Sequence, residues 1–138
     1  MKTTEELLNT LKQTDIETFW QEHQEDLIQM KPHEFLSDLI LRSGLRKAEI
    51  IRKSEFDTVY FHQVVAGSKV PSRDKLLRIL IALDTPFKDC QLALRLYGHA
   101  ILYPRVRRDG CIIYGLNNHF TLPRIQEELQ KNGEDPLK

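Results

Sequence analysis

The feature that most limits what this chain can fold into is its punctuation. Short apolar stretches recur with the 3.6-residue period of an amphipathic helix, and capping residues, glycines and prolines separate them. Leu7, Leu8 and Leu11 follow Thr4, which is expected to cap a first helix. Ile16, Phe19, Trp20 and Leu27 follow Asp15, the cap of a second. Pro32 interrupts the pattern, and Phe35, Leu36, Leu39 and Ile40 then lead to Gly44. A short helix is predicted from Arg46 to Lys53, and another from the cap Asp57 to Ala66, with Gly67 as its stop. Ser72 caps a longer one carrying Leu76, Leu77, Ile79, Leu80 and Leu83. Thr85 and Pro86 restart the chain toward Leu92, Leu94, Leu96 and Gly98. Pro104 is placed in the first turn of the next helix, through Ile112, Ile113 and Leu116. Thr121 caps the last, with Leu122, Ile125 and Leu129 before Gly133, and the tail from Glu134 to Lys138 is expected to fray. No stretch alternates with period two, so the predicted fold class is all-α.

A faint repeat runs through the second half. Leu83, Thr85, Pro86, Leu92, Leu96 and Gly98 resemble Leu116, Thr121, Pro123, Leu129 and Gly133, as if two helical hairpins of one design were stacked. The chain has 138 residues and is 41% hydrophobic, enough for a real core. It lacks a run of 18 apolar residues and begins without the apolar stretch of a signal peptide, so a cytoplasmic protein with no membrane partner is expected. Cys90 and Cys111 read as reduced core residues.

Net charge is zero, but its distribution is uneven. Residues 1–32 hold seven acids and three bases. Residues 42–78 hold nine bases (Arg42, Arg46, Lys47, Arg52, Lys53, Lys69, Arg73, Lys75, Arg78) against Glu49, Glu55, Asp57 and Asp74. A basic centre of this kind can face phosphates or can simply be solvated helix surface.

From Leu45 to Pro71 the chain reads LRKAEIIRKSEFDTVYFHQVVAGSKVP. Leu45 opens a helix, Ile50 packs inward five residues later, and Phe56 closes a turn. Asp57 caps the following helix, Phe61 and Val64 point inward, and Gly67 ends it before a basic loop with Lys69 and Pro71. This spacing resembles the helix-turn-helix of Xre/Cro-type repressors. With a first helix at His33–Ser43 and a fourth from Ser72 to Leu83, the resemblance covers residues 33 to 83. More loosely, Pro71–Leu77 with Leu102–Arg105 and Arg107–Asp109 resembles Xre-type regulators of Gram-positive bacteria.

The resemblance implies a five-helix lambda-repressor-like domain at 33–98. An acidic helical extension would precede it at 1–32, and a C-terminal helical hairpin at 99–138 would pack on it. It further implies a DNA-binding transcriptional regulator, a repressor or activator, bound to double-stranded DNA as a homodimer. By position, Thr58, Val59, His62 and Gln63 would read bases, and Lys47, Tyr60, Ser68, Lys69 and Arg73 would meet phosphates. Ile51 stands where the pattern has a small residue, Glu55 where it often has glycine, and the helix from 57 to 66 carries no Lys or Arg. These departures leave room for a protein-interaction module on the same scaffold.

Other chemistry finds little support. The histidines (His23, His33, His62, His99, His119) lack zinc-site spacing, and there is no phosphate-binding glycine loop or nucleophile elbow. No enzyme activity, cofactor or metal is expected. Tyr103, Arg105, Arg107 and Arg108 form a basic-aromatic cluster that could touch DNA flanks or an acidic partner, and is read first as a helix start whose arginines pair with Asp109 and the acidic front. That front could also hold a protein partner or cover the basic helices. Phe19 and Trp20 are expected to pack on the core or on a second subunit.

Overall fold

A computed structural model describes residues 2–23 and 30–138. Among them every regular element is an α-helix: α1 (Thr4–Leu11), α2 (Ile16–Glu22), α3 (Pro32–Ser43), α4 (Lys47–Ser54), α5 (Thr58–Ala66), α6 (Arg73–Ala82), α7 (Phe87–Leu96), α8 (Arg107–Asn117) and α9 (Leu122–Lys131). None is long and apolar enough to cross a membrane. The chain divides into two compact units, 1–30 and 31–138.

In the first unit the cap of α1 is Thr3, not Thr4: its hydroxyl accepts the Glu6 N–H at 3.1 Å. Asp15 caps α2 as its sequence position suggests. Phe19 is buried and stacks on His23, with ring centroids 4.7 Å apart. Trp20 is half exposed instead of packed. The expected Leu27 contact lies outside the described residues.

The second unit is built on one apolar core shared by α3 to α9. Pro32 does not merely interrupt the pattern; it occupies the first turn of α3, where its missing N–H costs no hydrogen bond. α3 packs on α5 and α7, and α4 on α6. Leu36, Ile50, Phe61, Leu76 and Leu77 are fully buried between them. Gly67 ends α5 with φ of +85°, and a Cβ there would sit 2.7 Å from the His33 imidazole. Glycine is therefore required both for the turn and for the approach of α3. Cys90 is a core residue whose thiol is pushed up to about 12 by burial, with Asp89 and Asp84 adding to the shift. Cys111, expected alongside it in the core, is only half-buried.

The C-terminal half departs most from expectation. α8 begins at Arg107, and Pro104 lies in the turn before it. Asp109 reaches back to accept the Tyr103 N–H at 3.0 Å and so holds the chain extended ahead of the helix. The tail does not fray. Leu137 is buried, and its N–H and C=O both pair with the side-chain amide of Gln126, at 2.8 and 2.9 Å. Leu102 makes the same two bonds, at the same lengths, to Gln91.

That coincidence reveals the register of the repeat. The matching residues are thirty-five apart: 73 and 108, 74 and 109, 91 and 126, 98 and 133, 102 and 137. Of the apolar pairs suggested by sequence, only the glycines keep this register, and Leu129 matches Leu94, not Leu92. Asp84 and His119 are also equivalent, and both adopt left-handed backbone, with φ of 52° and 58°.

The two hairpins, α6–α7 and α8–α9, exchange charges. Arg73 donates to Asp109 at 2.9 Å, and Arg108 forks onto Asp74 at 3.0 and 2.9 Å. Each arginine also donates to carbonyls of its own hairpin's closing segment. Arg73 takes Ala100 and Ile101, and Arg108 takes Asp135 and Pro136, their equivalents thirty-five residues on. Asp84 and His119 meet at 2.9 Å at the other ends of the same helices. The two hairpins are thus related by a pseudo-twofold, with α6 packed on α9 and α7 on α8. α9 approaches α8 at Gly115, where any Cβ would overlap Ile125.

Asp109 is buried against the Arg73 guanidinium, so replacing its carboxyl by an amide should leave that cation without its partner charge. D109N is expected to lower stability by about 3 kcal/mol, read from denaturant unfolding. Burial of Asp74 opposes its ionisation, but the Arg108 fork, the Lys138 N–H and the nearby arginine charges overcome this and hold the carboxyl below its ordinary value. A depressed carboxyl stabilises the fold fully above its unfolded pKa of about 3.9 and loses that contribution as pH falls through the folded value. Acid unfolding below about pH 4 should therefore be shallower in D74N than in the parent.

Candidate nucleic-acid interface

α4 and α5 are joined by residues 55–57. Glu55 turns the chain in the left-handed region, with φ of 59°. Its position after Ser54 leaves helix-end carbonyls that need donors. Arg78 of α6 supplies them: its guanidinium donates to Ser54 O at 2.8 and 3.0 Å and to Glu55 O at 2.7 Å. The same group lies 4.2 Å from the centroid of Phe56 and donates to Lys138 O at 2.9 Å. Arg78 thereby ties the α4–α5 turn to α6 and to the docked tail.

Asp57 then caps α5, accepting the Tyr60 N–H at 2.8 Å. The acid placed beside the candidate surface is therefore spent on the helix's own donors. With Phe61 and Val64 fully buried, α5 leaves Thr58, Val59 and His62 exposed and Gln63 half-buried. Val59 is 67% exposed, a large figure for an apolar residue on a packed helix. The four candidate base-reading residues thus share one helix and are reachable from solvent to different degrees.

The five candidate phosphate residues separate. Lys47, the first residue of α4, is exposed, and the helix start beside it has no side-chain cap. Lys69 is exposed in the loop after α5. Ser68 is exposed too, but its hydroxyl donates to Gln63 O at 3.2 Å and closes the end of α5. Tyr60 is half-buried, its ring against Phe56 at 5.4 Å and under the Lys75 ammonium at 4.8 Å. It packs the turn more than it faces outward. Arg73 does not fit the role expected of it. Its guanidinium is committed to Ala100, Ile101 and Asp109 and holds the two hairpins together.

The basic centre is therefore weaker at the surface than the sequence suggests. Arg42 pairs with Asp38 and Asp89, Arg46 lies 3.6 Å from Glu49, and Arg73 and Arg78 serve the fold. Lys47, Arg52, Lys53 and Lys69 make no ion pair or ring contact among the described residues. In the basic-aromatic cluster, Arg108 pairs with Asp74, and Arg73 takes the Asp109 expected for it. Arg105 and Arg107 are exposed and make no ion pair among the described residues. Among the described residues no three His, Cys, Asp or Glu side chains converge as for a metal.

Glu55 is a non-glycine residue in left-handed backbone; its carbonyl accepts from Arg78, and its exposed carboxylate adds only a charge interaction with the same guanidinium. E55G should relieve that strain and raise stability by up to about 1 kcal/mol, read as a shift in the denaturant midpoint.

Comparison of the chain with family models, with curated proteins and with solved structures finds no match.

Proposed function

We propose that this protein is a transcriptional regulator that reads duplex DNA in the major groove with α5. On this reading α3 to α7 form a five-helix lambda-repressor-like domain, and α4 and α5 are its helix-turn-helix. The observation that carries it is α5 itself. It is a short, side-chain-capped helix joined to α4 by a three-residue turn, with two inward residues fully buried and Thr58, Val59, His62 and Gln63 left for a ligand. A major-groove reader needs this division, because one helix face must fix the angle while the other meets base edges. Gln63 can pair bidentately with adenine, and the methyl groups of Thr58 and Val59 suit a thymine methyl.

α5 supplies no cation, so affinity comes from Lys47, Lys69 and the backbone donors at the start of α4. Such a module binds usefully as a homodimer, with two α5 helices one DNA turn apart on a palindromic site. On this reading the protein works in the bacterial cytoplasm.

A second reading has its own support. Val59 is exposed, and a groove of about 990 Å³ lies between the end of α4, the end of α6 and α9, with Ile81, Ala82, Phe120 and Leu122 among its lining. An exposed valine on α5 and a groove with both apolar and charged lining suit a protein partner as well. Selection of bound sequences from random duplex DNA, at low and moderate salt, separates the two. DNA reading predicts an enriched palindrome. No enrichment at either salt overturns the proposal in favour of the interaction module. On the enriched site Q63A should lose about 1–3 kcal/mol at one base pair only. K47A and K69A should weaken binding to every sequence and each lower the salt slope by about 0.9 per protomer.

A further inference from the structure

The charge exchange between the hairpins does more than lock them. It carries the first turn of α8 to the first turn of α6, because Arg73 and Asp74 meet Asp109 and Arg108 directly. The first turn of α6 follows without a break from the loop that ends α5 and holds Ser68, Lys69 and Val70. A third tie fixes the same edge: the His99 imidazole donates from Nε2 to Pro71 O at 2.9 Å. The segment 99–107 is therefore anchored at residues 71 and 73, immediately beyond the loop proposed to touch phosphates.

What this segment shows to solvent is unusual for a structural connection. Tyr103 is 51% exposed, Val106 is exposed, and Arg105 and Arg107 are exposed without an ion pair among the described residues. Two carboxylates lie on the α9 side of Arg107, Glu128 (3.9 Å from Arg124) and Glu134, and the charged groups nearer α6 are already paired. Asp109 is buried on Arg73, Asp74 is held by Arg108, and Arg108 is used up on Asp74, Asp135 and Pro136. The α8 start has no side-chain cap either, so its first N–H groups stay open to an anion. Two guanidinium groups without an ion pair among the described residues and an exposed phenol thus stand on a segment tied to the chain just after α5, a helix that itself carries no Lys or Arg.

We propose that Tyr103, Arg105 and Arg107 form a second phosphate-binding edge that grips the DNA backbone beyond the half-site read by α5. This rests on the DNA-binding reading above and extends it: the C-terminal hairpin belongs to the interface as well as to the core. Guanidinium groups fork onto phosphate oxygens, and such contacts add affinity without sequence information.

The test measures binding of a random-sequence duplex across a salt series by R105Q/R107Q, with K47A/K69A beside it. Loss of two phosphate contacts should flatten the salt slope by about 1.8 per protomer and weaken low-salt binding at least about tenfold. Thermal unfolding should stay unchanged, since neither side chain supports the fold. R105K/R107K keeps the charges and should recover most of the slope. An unchanged slope in R105Q/R107Q, while K47A/K69A flattens it, overturns this edge and leaves the α5 reading standing. Failure of the parent protein to bind duplex DNA at low salt overturns both.

Discussion

Two arginine–aspartate pairs hold this molecule in register. Arg73 with Asp109 and Arg108 with Asp74 join the first turns of α6 and α8, and each arginine also closes its own hairpin through backbone carbonyls. Partly buried ion pairs contribute little net stability compared with apolar packing, but breaking one strands a charge. Their effect is to make one arrangement much better than its neighbours. Sliding α8 by a single residue along α6 would separate both pairs and the Asp84–His119 contact together. The apolar core, with its many interchangeable leucines and isoleucines, could not discriminate so sharply.

That lock has consequences along the chain. Because α6 is fixed, Arg78 is aimed at the end of α4, where it satisfies Ser54 and Glu55 carbonyls and covers Phe56. The turn between α4 and α5 is thus set from behind, by a residue outside the two helices it joins. Because α8 is fixed, the segment 99–107 stands beside the loop after α5. The proposed interface then divides its labour. α5 offers hydrogen-bonding and methyl groups without charge, and the charge sits on flanking segments. On the proposed reading, the absence of charge on α5 keeps non-specific affinity low and leaves discrimination between sites to base contacts.

The helices and most of their caps were legible in the sequence because they are local. Asp15, Asp57 and Ser72 lie three residues from the N–H they accept, and their signal fits in one turn. What escaped was long-range. Arg73 looked like a phosphate ligand because its partners are 27 to 36 residues away. The tail reads as frayed because three of its anchors, Asp74, Arg78 and Arg108, lie 27 to 64 residues away, and only Gln126 sits in the preceding helix. The repeat was visible but misaligned, since leucines at helical spacing match in several registers. The polar residues that set it, Arg, Asp and Gln, become informative only once their bonds are known. Of the candidate site, Thr58, Val59, His62, Lys47 and Lys69 are exposed as the spacing implies, Gln63 and Tyr60 are half-buried, and Arg73 is withdrawn.

On the proposed reading, α4, α5 and the segment 99–107 form one DNA-facing edge, held in place through the arginine–aspartate exchange. Amide chemical shifts of the full chain, followed while a short duplex is added at low salt, test it directly. The expected result is perturbation at residues 47–48, 58–63, 68–69 and 103–107 together, fading in parallel as salt is raised. Perturbations confined to the α4–α6–α9 groove, or none at all, would contradict it.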